Sequence, residues 1–357
     1  AYFRGGNSLF AAERVACQAE PERSGNRHFR LRGGADLRLF ALDLIERAMK
    51  ARWLDVSARG KIRVTGEDRA RLLHAMSTNH IQQLQPGEGC YAFFLSAQGR
   101  ILADANIFCR PDHLLLDTEP EVRGKLFEHI DKYIIADDAY VQDVTDELRT
   151  IALDGPDAAA LLEKLAAPVP PAPYANADWG SRLVARTDFT GLTGFFLMAP
   201  AAEGEALIRQ LEAAGASPAT AEEFRLSQIE NGKPRYGEDL SERFLAQEAN
   251  QPHALHFSKG CYLGQEIVER VRSRGQIHRV LMPLEINTAT PPPPKTKLQA
   301  DGKDVAEITS SAFSPARGKV VALAYVRTDL ARPGAAMTLG DTRAVVKTPA
   351  CESHSAV

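Results

Sequence analysis

The chain has no long apolar run, no clustered cysteines and no strong charge of either sign, and each shortage removes a class of function. No stretch approaches the roughly 20 apolar residues that a bilayer requires. Even Leu37 to Ile45 is interrupted by Arg38 and Asp43, so a soluble protein without a membrane partner is expected. The five cysteines (Cys17, Cys90, Cys109, Cys261 and Cys351) are odd in number and far apart, with no CxxC pair and no Cys/His spacing of a zinc site. A reducing, cytoplasmic setting without a bound metal is expected. A resident iron–sulfur centre, which usually takes four thiolates, is disfavoured. The net charge of −3 gives no global pull toward nucleic acid or an anionic surface. Any anionic ligand must therefore be held by a local pocket.

What is present has globular proportions: 44% hydrophobic and 25% charged residues in 357, enough for two or three packed units. Residues 1–50 read as an N-terminal extension, either poorly ordered or a misplaced start. Glu13, Glu20 and Glu22 count against a mitochondrial transit peptide. Periodicity then becomes regular. Strands are expected over Lys61–Gly66, Cys90–Leu95 and Ile101–Phe108, the last two joined by the turn Ser96-Ala97-Gln98-Gly99, and helices over Glu67–Ser77 and Glu119–Tyr133. A similar alternation recurs from Leu183 to Leu211. The pattern indicates an α+β fold: one α+β unit over 51–166, a related one over 174–285, and a small C-terminal antiparallel β-barrel over 295–349. Pro291 to Pro294 marks the sharpest break.

Cys261 is the thiol whose surroundings carry chemical information. Gly260 and Gly264 bracket it in a tight loop, and Gln265 to Arg274 carries the apolar stripe of a following helix. A thiol just before a helix N-terminus, two residues from Lys259, is placed for a lowered pKa and for nucleophilic or redox work. The alternative is a buried structural cysteine beside turn glycines.

The segment Lys259-Gly260-Cys261-Tyr262-Leu263-Gly264-Gln265-Glu266 resembles the Lys-Gly-Cys-Tyr-x-Gly-Gln-Glu motif of YgfZ-type proteins, within the glycine-cleavage aminomethyltransferase (GcvT-like) superfamily. Further segments follow in family order: Ser57-x-x-Gly60-Lys61-Ile62-x-Val64-x-Gly66, Ser77-Thr78-Asn79, Gly99-Arg100-x-x-x-Asp104, Gly232-x-Pro234-Arg235-x-Gly237-x-Asp239, and Thr309-Ser310 through Ala322 to Val326. The resemblance implies that the two α+β units form a tetrahydrofolate-binding domain. It places folate contacts at Asn79, Tyr91, Asp104 and Arg186 and, within the motif, at Tyr262, Gln265 and Glu266; Arg225 joins them on helix spacing. Cys261 and Lys259 are the implied catalytic pair. Asn79 has a turn cap as its plainer reading, Tyr91 a core position, and Asp104 an outward-facing strand residue.

Departures from the transferase pattern weigh on the activity. Transferases carry Gly-Gly-Ile-x-Asp-Asp where this chain has Gly99-Arg100-Ile101-Leu102-Ala103-Asp104, so one acid remains. They also carry Arg-Thr-x-Tyr-Thr-Gly-Glu-x-Gly-Tyr-Glu where this chain has Arg186 to Phe196, with Leu192 and Phe196 in place of both acids. Leu192 cannot accept from the donor edge of a pterin, and an unpaired buried donor costs about 1–3 kcal/mol. Gln228 stands where the family has Arg. Arg225, three residues earlier on the same helix face, could bind the carboxylates of a folate tail, or it is an ordinary solvated charge. The YgfZ branch implies a folate-binding accessory protein for iron–sulfur enzymes, tRNA-modifying ones included, with those enzymes or cluster-assembly proteins as transient partners. The alternative is a folate-dependent aminomethyltransferase. Nucleic-acid binding through the barrel would need a basic, aromatic-lined groove, for which Arg317, Lys319 and Tyr325 are too few.

Overall fold

The computed structural model describes residues 50–275 and 277–348. The expected extension over 1–50 lies outside these except for its last residue, as do Cys17 and Cys351. Among the described residues, no helix is long and apolar enough to cross a membrane.

Two open sheets and a closed barrel hold the strands. The five-stranded antiparallel sheet has the spatial order Gly89–Leu95, Ile101–Cys109, Leu114–Thr118, Gly60–Thr65, Tyr140–Asp143. Cys90 to Leu95 is apolar without alternation, as suits a strand covered on both faces, and every one of those residues is buried. The helix Arg69–Met76 adds Leu72, Leu73 and Met76 to the same core. The expected helix over Glu119–Tyr133 is shorter: a single tight turn, Pro120–Val122, precedes the helix Arg123–Asp131.

The six-stranded sheet has the order Ser217–Pro218, Arg52–Asp55, Leu148–Asp154, Gly194–Pro200, Arg182–Thr187, Asn176–Trp179. Arg52–Asp55 and Leu148–Asp154 thus pair with strands from beyond residue 174, and the two halves of the sequence interleave. Alternation along a strand identifies its faces but carries no information about its partner.

The barrel closes in the order Arg279–Ile286, Lys319–Arg327, Lys303–Ser314, Lys297–Ala300, Ala336–Leu339, Thr342–Val346. Its first strand comes before the four prolines, which corrects the boundary expected between 285 and 295. The prolines link the first two barrel strands, where their missing N–H groups break no ladder.

Asp239 joins the barrel to the rest. It is fully buried. Its Oδ1 accepts from the Thr309 and Ser310 hydroxyls at 2.5 and 2.7 Å, and its Oδ2 from Arg225 Nη2 and the Arg235 backbone N–H at 2.6 and 3.0 Å. The Tyr325 hydroxyl donates to the Asp239 carbonyl oxygen at 3.0 Å. Removing that side chain takes one of two carboxylates from the half-buried Arg225, leaves the buried Ser310 hydroxyl and the Arg235 N–H without their acceptor, and leaves Thr309 only the Leu323 carbonyl. Asp239→Ala is expected to lower stability by about 2–4 kcal/mol in urea unfolding, the scale of losing several buried hydrogen bonds at once. A loss below about 1 kcal/mol, the scale of an ordinary substitution, would show that the joint is held elsewhere.

Candidate functional site

A cavity of about 200 Å³ lies where the start of strand Gly89–Leu95 meets the end of strand Arg182–Thr187, with Asn79, Tyr174 and His253 completing its wall. Tyr91, Cys90, Arg186, Thr187 and Asp188 also line it. Behind Tyr91 sits Asp104, whose Oδ2 accepts from the tyrosine hydroxyl at 2.7 Å. In the strand register Tyr91 faces Asn106 and Phe93 faces Asp104, so these four share one face of the sheet. Ala103, paired with Phe94, points to the other face. The retained acid is therefore the one on the face of Tyr91, where it stands behind the cavity wall and reaches the cavity only through the tyrosine hydroxyl.

Asp104 is buried, contrary to an outward-facing strand residue, and its Oδ1 has no partner among the described residues. Burial raises its pKa to about 6. The Tyr91 hydrogen bond opposes this, Glu119 reinforces it, and Arg59 and Lys233 oppose it.

A second carboxylate was not expected. Asp188 accepts from the Tyr174 hydroxyl at 3.0 Å and from Lys233 Nζ at 2.8 Å. Burial alone would raise its pKa, but Lys233, His253 and these hydrogen bonds hold it below the usual carboxylate range. Lys233 also lies over the Tyr91 ring, 4.7 Å from its centre. Asp188 and Lys233 occupy variable positions of the two quoted motifs, Arg186-Thr187-x and Gly232-x-Pro234. Motif matching passes over both.

Of the other expected contacts, Asn79 and Arg186 are at the cavity with their polar groups engaged. Asn79 Nδ2 donates to the Tyr91 and His253 carbonyls, each at 2.9 Å, and its Oδ1 accepts from the His80 N–H. Arg186 donates to the Pro171 carbonyl and, at 3.4 Å, to Thr193. Arg225 is elsewhere. It lines a groove of about 750 Å³ between helix Ala221–Asn231 and barrel strand Lys303–Ser314, and its charge is met by Glu238 and Asp239. It does touch Gln228, as helical spacing required.

The cysteine motif forms a third place. Cys261 is exposed, whereas Lys259 is 7% exposed and its ammonium donates to the His74 and Ser77 carbonyls. Burial brings Lys259 down to about 7, with the Cys90 thiol acting in the opposite sense. Tyr262 covers the ammonium with its ring at 4.5 Å, and its N–H donates to Gln265 Oε1 at 3.3 Å. Glu266 is exposed on the first turn of helix Gln265–Arg274. Gly264 has φ of +86°, and a Cβ there would lie 2.6 Å from the Ser96 carbonyl oxygen, so its glycine is required by both backbone and packing. Gly260 is not so constrained; its nearest neighbour would be His74 Nε2 at 3.7 Å. Among the described residues, no group of three His, Cys, Asp or Glu side chains is arranged to hold a metal ion.

Family comparison is consistent with this architecture. The GCVT N-terminal domain matches residues 47–259, and the glycine cleavage T-protein C-terminal barrel domain matches residues 279–351. The chain belongs to the GCVT family. A chloroplastic protein of Arabidopsis thaliana, named as a candidate transferase, is 28% identical over 81% of this chain and 68% of its own length. An aminomethyltransferase of Streptomyces avermitilis is 30% identical over 80% of this chain and 81% of its own. The crystal structure of glycine cleavage system aminomethyltransferase T from Bartonella henselae superposes with a TM-score of 0.79 at 19% identity, covering 87% of this chain and 89% of that one. That likeness shows the fold shared across the GCVT family. The Cys261 loop and its helix fall between the two matched domains.

Asp104 gives a pH signature. With its folded pKa raised to about 6, the native state holds a proton that the unfolded chain releases near the ordinary carboxylate value. Stability therefore falls as pH rises from about 4 to about 6, and the penalty persists above. Asp104→Asn keeps an acceptor for Tyr91 and removes that penalty. It is expected to be more stable than the parent by roughly 1–3 kcal/mol at pH 7.5 and nearly equal at pH 4. Urea melts at the two pH values measure this. A difference independent of pH would place the titration elsewhere.

Proposed function

We propose that this protein binds a reduced folate at the Tyr91–Arg186 cavity and serves, in the manner of YgfZ-type proteins, as an accessory factor for iron–sulfur enzymes, with Cys261 as its working thiol. The observation that carries this reading is the contrast within the motif. Lys259 is drawn into the interior and bonded to two carbonyls, while Cys261 two residues later is left on the surface. A structural cysteine would gain most from burial; an anchored, exposed thiol can reach another protein.

The cavity fits the head of a folate better than the whole molecule. Its volume is below the range of drug-sized sites, so the ring system would occupy it and the tail would extend outward. Tyr91 and Tyr174 offer ring faces, while Asp188 and Thr187 offer polar contacts. Bound folate would supply a one-carbon carrier; the residues present would orient and shield it.

A second reading is aminomethyl transfer. It is favoured by Asp104 standing behind Tyr91 with a raised pKa, and by relatives that carry the name aminomethyltransferase. Two measurements separate the readings. Calorimetry is expected to show tetrahydrofolate binding, and an assay with an aminomethyl-lipoyl carrier is expected to show no turnover; robust turnover would establish the second reading. Cys261→Ser is expected to fold with near-parental thermal stability yet fail to restore iron–sulfur enzyme activity in cells lacking the endogenous factor, because a serine hydroxyl is not ionised near pH 7 and is a poor ligand for soft metals. Cys109→Ser, outside the cavity and the motif, is the control expected to complement. Cys90, expected to lie away from any site, lines the cavity and is unsuitable for that purpose. Full complementation by Cys261→Ser would reduce the motif to a structural loop.

A further inference from the structure

The acid that would read a heterocycle's donor edge is missing from position 192, and Leu192 is 55% exposed beside a different groove, with Arg52 and Asp154. The cavity nevertheless contains a carboxylate four residues earlier. Asp188 is 9% exposed and lines the cavity wall. One of its oxygens accepts from Tyr174 and the other from Lys233. Each carboxylate oxygen can accept twice, so both keep capacity for a ligand. Beside it, Thr187 also lines the cavity. Its hydroxyl is buried, the residue is 4% exposed, and no protein group pairs with it among the described residues. A buried hydroxyl without a partner is unfavourable, and here it adjoins the one charged acceptor at the cavity wall. Lys233 fixes the carboxylate from behind and keeps it ionised.

We propose that Asp188 is the specificity-determining acceptor of this cavity. Its ligand is a ring presenting two adjacent N–H donors, the 2-amino-4-oxo-pyrimidine edge that reduced pterins share with guanine, and the Thr187 hydroxyl supplies a further hydrogen bond. The inference rests on the folate reading for the choice of pterin, but the edge chemistry comes from the residues. Acceptor and ligand donors are both charge-assisted or buried, so losing the match costs affinity for ligands that have the edge and spares those that lack it.

The test is calorimetric titration of the full chain and Asp188→Asn with tetrahydrofolate, a 2-desamino folate analogue and guanosine. The parent protein is expected to prefer tetrahydrofolate over the desamino analogue by about tenfold or more. Asp188→Asn is expected to weaken tetrahydrofolate about tenfold while changing the desamino analogue by less than about threefold. Because that variant leaves Lys233 without its counter-ion, Asp188→Asn combined with Lys233→Met removes both charges and is compared in the same way if the single variant does not fold. Equal loss for both folates, or loss for neither, makes Asp188 a structural partner of Lys233 and overturns the proposal while the folate reading stands. Guanosine bound with the same Asp188 dependence, and tetrahydrofolate not bound, would keep the edge reading and remove folate. Binding of none of the three would overturn both.

Discussion

Lys259 carries an ammonium into the interior where, among the described residues, no carboxylate lies within ion-pair distance. Partial charges meet it instead: the His74 and Ser77 carbonyl oxygens at the C-terminal end of helix Arg69–Met76, and the face of the Tyr262 ring. A buried cation is tolerable only while its donors are satisfied. The loop from Lys259 to Gly264 therefore cannot drift from the helix end without exposing that cost. Gly264 fixes the other end of the loop against the hairpin turn at Ser96, and a Cβ on Gly99 of the same turn would meet Ile267 of the following helix at 2.8 Å. Cys261 is thereby held on the surface between two fixed points.

The same anchor reaches the cavity. Ser77, which accepts from Lys259, is followed by Thr78 and Asn79. Thr78 donates through its hydroxyl to the Ala254 carbonyl and accepts through it from the Phe93 N–H, while its own carbonyl accepts from the His256 N–H. Asn79 then ties the Tyr91 and His253 carbonyls together. The motif loop, the Ser77–Asn79 segment, the strand bearing Tyr91 and the turn bearing His253 thus share one set of buried hydrogen bonds. Cys261 and the cavity do not share a wall, yet neither can shift far without the other.

Legibility in the sequence followed the range of each interaction. The helix Gln265–Arg274 was readable to the residue and the strands Cys90–Leu95 and Ile101–Phe108 to within one, because glycine punctuation and apolar spacing are local. The strand Arg279–Ile286 was not, since Pro283 interrupts it and a proline run follows. Its place in the barrel comes only from pairing with Lys319–Arg327. The site shows the same division. Asn79, Tyr91 and Arg186 stand together at one cavity, whereas Arg225 lies in a separate groove, held by Glu238 and Asp239 from beyond a turn. Asp188 and Lys233 become an ion pair only when residues 45 positions apart meet, so neither residue announces itself alone.

Strand geometry also limits what a missing acid can mean. Adjacent residues of a strand face opposite sides, so of positions 103 and 104 only one can approach a ligand that rests on Tyr91, and the chain keeps its acid there. Position 192 differs: it lies on an exposed turn beside Arg52 and Asp154, while the acid at the cavity wall is Asp188. Apart from that cavity the chain carries an exposed thiol on an anchored loop. Burial raises the pKa of Asp104 to about 6, within reach of a neutral pH. The cavity wall and the loop bearing Cys261 are tied to one stretch of backbone, Ser77 through Asn79, so the two are linked by buried hydrogen bonds although they do not touch.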